Sequence, residues 1–478
     1  MATEAELNEI EASLQQRLRD VYGASPWIVA GGVAQGVDPS VRLVLELGAS
    51  QAIGLATRVG VGELSNDIRI IISDDAQVGD DVSLITRMHD GNRELHDPPA
   101  WVLAEIDEWD PAHKARVLIE PTMEGGVIAG RPTFGARRPE WAALEDKISI
   151  RDLWDRAGIA TAPDLVVETS DAGALLAAHE ELATQWGTVW AADNEQGWHG
   201  GGHGTHWVST VAAAEELAAT ISNDHRHVRV QPFLEGVPCS IHGMVLGDAT
   251  LAFRPCEMLM LLDPVAHEFV YSRAATFWDP ADADRESMRS TARAIGDQLR
   301  ATVDYRGVFT VDGVLTRDGF LPTEVNPRFG AALPPLLPTA DGQELSVFFT
   351  HLAATAGQLD DFDPALLEAL LVDRLDQHRE GSAFILTPDG PTGDEKEATI
   401  AGTWDGDRFV DLALATGDDA PFISATWGAS PGGGLIFGTW TSEMPIGPPV
   451  APTLVEVRRF LSRHWGLGLG EVHPAFAE

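Results

Sequence analysis

The chain has 478 residues, 44% of them hydrophobic and 22% charged, which supports several buried cores and suggests about three domains. Acidic residues outnumber basic ones 73 to 33, and the formal charge of −40 disfavours nucleic acid and anionic membranes as partners. Two cysteines, Cys239 and Cys256, are too few for a disulfide framework or a thiolate zinc site. No run approaches the roughly 20 apolar residues that span a bilayer. Residues 1–6 carry no basic segment leading into an apolar one, so a cytoplasmic location is expected. Lysine is confined to Lys114, Lys147 and Lys396, and arginine supplies nearly all the positive charge.

The predicted elements begin with a surface helix over 3–20, where Leu7, Ile10, Leu14 and Leu18 recur at helical spacing. The run Trp27-Ile28-Val29-Ala30 reads as a strand entering a turn at Gly31-Gly32. That glycine pair fits a tight strand-to-helix turn as well as it fits a bound phosphate. Strand-like and helical stretches keep alternating through 68–72 and 101–103, which predicts an open α/β domain over 1–140. A break at 135–141 ends it. Then follow a helix at 141–157, a strand at 165–167, a helix at 172–185 and a strand at 188–191. A glycine-rich loop at 197–204 and a strand at 206–208 come next, with Ser209 placed to cap a helix running to about 221. Residues 228–260 are strand-rich and lead to a helix at 284–302. Strands 307–312 and 320–326 are joined by a polar hairpin at 317–319, and a helix at 342–357 completes the region 141–360. From 361 to 478, short strands, many glycines and a helix over 453–464 predict a small α+β lobe. The fold class is therefore a multidomain α/β and α+β one.

The hairpin at 307–326 carries the clearest chemistry. Two acidic residues on paired strands, Asp312 and Glu324, can sit side by side. With the amide oxygen of Asn326 they form a set of hard donors suited to magnesium. Arg328 follows two positions later and can hold a phosphate or carboxylate by a forked contact. The alternative is a hairpin bearing exposed charges, which fits Asp312 better than it fits Glu324 and the run that follows it.

That run, Thr323-Glu324-Val325-Asn326-Pro327-Arg328-Phe329-Gly330, resembles the terminal metal-binding segment of the ATP-grasp superfamily, which includes biotin carboxylase, carbamoyl-phosphate synthetase and D-alanine–D-alanine ligase. Residues 304–312 are similar to the strand bearing the first acidic ligand. Glu145-Asp146-Lys147 resembles the segment whose lysine reaches the ATP phosphates. The loop at 197–204, with Gly200, Gly201 and Gly202, is similar to the lid whose backbone N–H groups approach them. Gln231-Pro232-Phe233-Leu234 resembles the hinge that binds adenine, and basic residues such as Arg254 and Arg273 fall where the family faces the γ-phosphate. Each of these two arginines also fits a plain ion pair with an acidic neighbour. The resemblance covers about residues 140–330, in order. It departs at Trp190-Ala191-Ala192, where many members carry a second lysine, and at Gln231 and Pro238, where acidic residues are common.

The resemblance implies an ATP-grasp fold with an N-terminal open α/β domain and a C-terminal lobe. It implies ATP and magnesium (manganese as the substitute) as cofactors, small-molecule carboxylate and amine substrates, and admits a homodimer. In this scheme Asp312, Glu324 and Asn326 hold the metal. Lys147, Gly200, Gly201, Gly202, Gln231, Phe233 and Leu234 bind ATP, while Arg328, Arg254 and Arg273 act on the transferred phosphoryl group. The expected activity is an ADP-forming carboxylate–amine ligase working through an acyl-phosphate, with an amino acid or peptide as substrate. The alternatives are a bicarbonate-activating enzyme of the carboxylase or carbamoyl-phosphate type, and a catalytically silent nucleotide-binding module. No biotin-attachment segment or glutaminase region is evident.

Overall fold

The first helix, Glu4–Tyr22, starts at a capping box: the Thr3 hydroxyl accepts from the Glu6 N–H, and the Glu6 carboxylate accepts from the Thr3 N–H at 2.7 Å. The structure is a computed structural model, and it describes residues 2–60, 63–73, 91–194, 202, 204–339, 342–430 and 433–476. Leu14, Leu18 and Tyr22 lie on one helix face and are buried with Trp27 and Phe349.

The expected α/β alternation gives a four-stranded parallel sheet, in the order Ile70–Ile72, Ala52–Arg58, Trp27–Val33 and Arg116–Ile119. Gly31 and Gly32 lie inside the strand Trp27–Val33. The Gly32 N–H donates to Glu120 Oε1 at 2.8 Å, so a carboxylate of the chain itself occupies the place an anion would need.

A second four-stranded sheet is antiparallel, in the order Leu165–Glu168, His227–Pro232, Thr188–Ala192 and Thr205–Val208. Helices Ala172–Leu182 and Val211–Thr220 cover it, burying Leu175, Ala178 and Ala214 against Trp190, Val228 and Val230. Thr210 caps the second helix, accepting from the Ala213 N–H at 3.1 Å, where the sequence points to Ser209.

The third sheet has eleven strands among the described residues. Gly319–Asn326, Gly307–Thr316, Gly236–Val245, Thr250–Asp263 and Glu268–Ala275 follow one another antiparallel across it. Hydrogen bonding continues from Glu268–Ala275 to Gly381–Thr387 and on through the strands of 396–440, so the sheet runs across residue 360. The long helix Asp282–Val303 backs the sheet, packing Met288, Ala292, Ile295 and Leu299 on Ile241, Phe309 and Val311. Gly296 permits this approach, since a Cβ there would lie 2.3 Å from Thr250 Cγ2. On the interior strand Thr250–Asp263, Glu257 is fully buried and accepts from the Val450 and Ala451 N–H groups, holding the start of the final helix Ala451–Trp465. Burial pushes its carboxyl up to about 8.

Three expected elements differ. The helix over 141–157 is broken into Pro139–Ala142, a 3-10 turn at Ala143–Glu145 and Arg151–Ala157. Asp146 interrupts it by accepting from the Ile148 and Ser149 N–H groups, and local bonds of this kind compete with the helical ladder. The helix over 342–357 is a strand, Glu344–Ser346, followed by the helix Val347–Thr355 that Ser346 caps. The expectation of short strands from 361 onward misses the helix Pro364–Gln377, which has Asp363 as its cap and a proline at its first position.

Pro364–Gln377 lies against the first helix. Arg374 meets Glu11 in a forked ion pair, Nε to Oε1 at 2.7 Å and Nη2 to Oε2 at 3.0 Å, with both residues buried. Truncating Arg374 to alanine leaves Glu11 in a low-dielectric setting and is expected to cost about 3–5 kcal/mol. Urea unfolding checks this, and a loss below about 1 kcal/mol would show that the pair does not tie the two ends together.

Candidate functional site

Between the small antiparallel sheet and the first strands of the large one lies a cavity of about 390 Å³. Val189, Ala191, Thr205, Arg229 and Gln231 line it from the small sheet, and Ser240, His242, Met260, Asp312 and Glu324 from the large one. Phe233 and Leu234, in the short link between the sheets, close one side.

The polar centre is set by strand register. Asp312 on Gly307–Thr316 pairs directly with Glu324 on Gly319–Asn326, and Thr310 pairs with Asn326. A strand bulge follows Asp312, so the ladder is irregular just where the two carboxylates meet. Ser240, opposite Asp312 on the next strand, donates to its Oδ1. The Asn326 amide nitrogen donates to Asp312 Oδ2 at 2.8 Å and to Glu324 Oε1 at 3.0 Å.

Burial of Asp312 beside Glu324 raises its carboxyl well above the ordinary aspartate range. Burial would raise Glu324 too, but Lys147 and the Asn326 amide outweigh it and hold that carboxyl low. Lys147 Nζ lies 3.5 Å from Glu324 Oε2 and donates to Thr205 Oγ1 at 2.7 Å, joining the two sheets. The break in the helix at Asp146 is what frees Lys147 to reach the cavity. Arg328 donates to Asn326 Oδ1 and to Glu145 Oε1, both at 3.0 Å, and Glu145 also accepts from Arg137 at 2.7 Å.

Two carboxylates and a carboxamide on adjacent strands, facing a cavity, fit a hard cation with oxygen ligands. The Asn326 oxygen reaches such a cation once its amide is turned over, a choice the hydrogen-bond network decides. A cation there would also relieve the like-charge contact that adds to burial in raising the Asp312 carboxyl.

The opposite end of the cavity is apolar. Phe233 stacks on Phe269 with centroids 6.3 Å apart, and Trp207, Leu262 and Ala475 complete the cluster with Val189 and Met260. Ala475 arrives with the C-terminal segment, which pairs with Leu261 and Leu262 and donates from its N–H to the Met260 carbonyl at 3.0 Å. Toward Gly330, His242 Nε2 and Thr310 Oγ1 are buried without hydrogen-bond partners among the described residues. A Cβ on Gly330 would come within 2.3 Å of the threonine oxygen and 2.6 Å of that nitrogen.

Most of the residues that the sequence singles out meet here: Lys147, Gly202, Gln231, Phe233, Leu234, Asp312, Glu324, Asn326 and Arg328 all line the cavity. Gly200 and Gly201 lie outside the described residues. Arg254 and Arg273 are placed elsewhere. Arg254 is held by Asp279 at 2.9 Å and by Asp376, and Arg273 lies over the Phe437 ring at 5.6 Å. Both sit on strands of the large sheet, but neither is among the residues that line the cavity.

Sequence reasoning misses Arg229, which lines the cavity beside Lys147 and Glu324. It sits mid-strand in a run of alternating apolar residues, with no motif to mark it. Its position opposite Ala191 is visible only once the strands are paired.

No family model matches the sequence, and no curated protein matches it. Among solved structures, the chain is similar to carboxyaminoimidazole ribonucleotide synthase from Aspergillus clavatus complexed with ATP, at 13% identity and a TM-score of 0.48, covering 93% of this chain and 98% of that one. It is similar to L-amino acid ligase from Bacillus licheniformis at 12% identity and a TM-score of 0.46, over 95% and 100% of the two chains. A further likeness, at 13% identity and a TM-score of 0.45, is to phosphoribosylamine–glycine ligase from Thermotoga maritima, over 94% and 97%. Among the described residues no helix is long and apolar enough to cross a membrane.

The raised Asp312 carboxyl has a signed consequence for stability. The folded state holds this proton more tightly than the unfolded chain does. The penalty is therefore absent below the ordinary aspartate pKa, grows as pH rises, and is complete above the raised value. Asp312→Asn is expected to match the wild type near pH 4 and to be increasingly more stable than it toward pH 8, in the absence of divalent cations. Thermal denaturation across that range checks this, and a gap that stays constant or closes with rising pH would contradict a protonated Asp312.

Proposed function

We propose that this chain is an ATP-grasp enzyme, an ADP-forming ligase that activates a carboxylate by phosphorylation and joins it to an amine. The observation that carries the reading is the facing of Asp312 and Glu324 in a cavity that also gathers Lys147, Arg328 and the apolar hinge residues. The ordered sequence resemblance over 140–330 supports it independently.

A purine fits the apolar end, between Val189 on one side and Met260 and Phe269 on the other. Leu234 lies outside both flanking strands, and its backbone N–H and C=O have no protein partner among the described residues, so they are available to a flat heterocycle. The phosphates would then run toward Lys147 and Arg328. Asp312, Glu324 and Asn326 would hold magnesium, which supplies charge neutralisation at the β- and γ-phosphates when bound.

The chain's own residues position rather than react. Lys147 and Arg328 fix the γ-phosphoryl group. A substrate carboxylate oxygen attacks its phosphorus, the bond to the β-phosphate oxygen breaks, and ADP leaves. The amine nitrogen then attacks the acyl carbon, the carbon–oxygen bond to phosphate breaks, and the amine loses a proton. The unpartnered His242 and Thr310 lie at the end of the cavity where those two substrates would meet, and exclusion of water there would keep the acyl-phosphate from hydrolysis. The substrate pair we favour is an amino acid or peptide with an amine, acted on in the cytoplasm.

Replacing Glu324 by glutamine keeps the shape of the hairpin and removes a metal-ligand charge. The expected loss of ADP and phosphate release, with magnesium, ATP and mixed amino acids, is on the order of a thousandfold. Circular dichroism would remain that of the wild type. Turnover within a few fold of the wild type would remove Glu324 from the site. A wild-type protein that binds ATP but releases no phosphate with any acid–amine pair would favour a silent nucleotide binder.

A further inference from the structure

Among the described residues, five arginines have less than a tenth of their surface exposed: Arg131, Arg137, Arg229, Arg254 and Arg374. Four of them meet a carboxylate. Arg131 pairs with Asp107 and Asp110, Arg137 with Glu145, Arg254 with Asp279 and Asp376, and Arg374 with Glu11. Arg229, only 3% exposed, has no such pair. Its guanidinium makes one hydrogen bond, from Nη2 to the Thr323 carbonyl at 2.7 Å, and its buried Nε has no partner. In a chain with 73 acidic residues, that isolation is not for want of carboxylates. Asp164, Glu324 and Asp146 lie close enough to act on it, but none forms an ion pair with it, and Asp164 is engaged by Arg151.

A buried guanidinium left unpaired is costly unless a ligand completes it. Arg229 lines the cavity together with Lys147 and Glu324. It also stands directly opposite Ala191 on the neighbouring strand, the stretch where the sequence lacks a second lysine. Its side chain thus brings a positive charge to the wall of the small sheet that Ala191 leaves bare. Thr323, whose carbonyl orients the guanidinium, is the residue just before Glu324, so the cation-binding hairpin aims Arg229.

We propose that Arg229 is a phosphate-binding residue, taking a polyphosphate oxygen of a nucleoside triphosphate from the side of the small sheet and supplying the charge that position 191 lacks. This rests on the reading of the cavity as a nucleotide site. Nε and the unused N–H bonds of the guanidinium would meet a tetrahedral oxyanion, in the forked geometry that suits phosphate.

The test uses the whole chain and its Arg229→Met and Arg229→Lys variants, with binding of magnesium ATP, adenosine and inorganic tripolyphosphate read by calorimetry and apo stability read by thermal melting. Arg229→Met is expected to weaken ATP and tripolyphosphate by about 10- to 100-fold, to leave adenosine unchanged, and to melt no lower than the wild type, because an unpaired buried charge has been removed. Arg229→Lys should recover part of the ATP affinity. A methionine variant that binds ATP as the wild type does, or one that melts several degrees lower and loses adenosine equally, overturns the proposal and makes Arg229 a structural residue. The outcomes for the wild type separate this idea from the one beneath it. Binding of ATP with no effect of Arg229 sinks the inference and leaves the nucleotide site standing. Arg229-dependent binding of tripolyphosphate without ATP sinks the nucleotide site and with it the proposal, leaving Arg229 an inorganic-polyphosphate contact, and binding of neither sinks both.

Discussion

Two carboxylates are brought together by the pairing of one β-hairpin, and both stand half-buried on the wall of one cavity. Asp312 and Glu324 stand opposite each other in the ladder, so neither can move away without breaking the register of the sheet. Like charges at this distance cannot both stay ionised in a poorly solvated place. The surroundings answer unequally: Lys147 comes to Glu324 from outside the sheet, while Asp312 receives only the Ser240 hydroxyl and the Asn326 amide. The result is one carboxyl held low and one held high, side by side on the cavity wall.

Much of the remaining architecture follows from delivering positive charge to that hairpin. Lys147 gets there because Asp146 interrupts what would otherwise be a helix, and its ammonium bridges to Thr205 on the small sheet. Arg328 gets there along the strand and is braced from behind by Glu145, itself braced by Arg137. Arg229 completes the set from the small sheet, held by the backbone of the hairpin. The apolar end is assembled from three distant parts of the chain, the 233–234 link, the 260–269 hairpin and the C-terminal segment at Ala475. The C-terminal region thereby has a place in the cavity wall as well as in the continuous sheet.

The sequence revealed what depends on local spacing. A separation of twelve positions from Asp312 to Glu324, with a polar turn midway, is enough to foresee two facing acids, and the register confirms the facing. The parallel N-terminal sheet and the strand-rich middle were legible from periodicity for the same reason. What escaped depends on contacts between distant segments. Arg254 stands in an apolar strand next to the expected site, and only the folded chain shows Asp279 and Asp376 claiming it. Arg229 was hidden because it lacks a carboxylate ion pair among the described residues, which no stretch of sequence displays. The helix Pro364–Gln377 carried its signals in plain view, Asp363 before Pro364 and leucines at helical spacing, but the glycines around it suggested strands.

Anomalous diffraction from crystals grown with manganese and a non-hydrolysable ATP analogue would locate the cation directly. A manganese peak is expected within coordinating distance of both the Asp312 and Glu324 carboxylates, with the analogue's phosphates on its far side. A peak elsewhere, or an analogue bound with those two side chains still sharing the Asn326 amide and no cation between them, would contradict it.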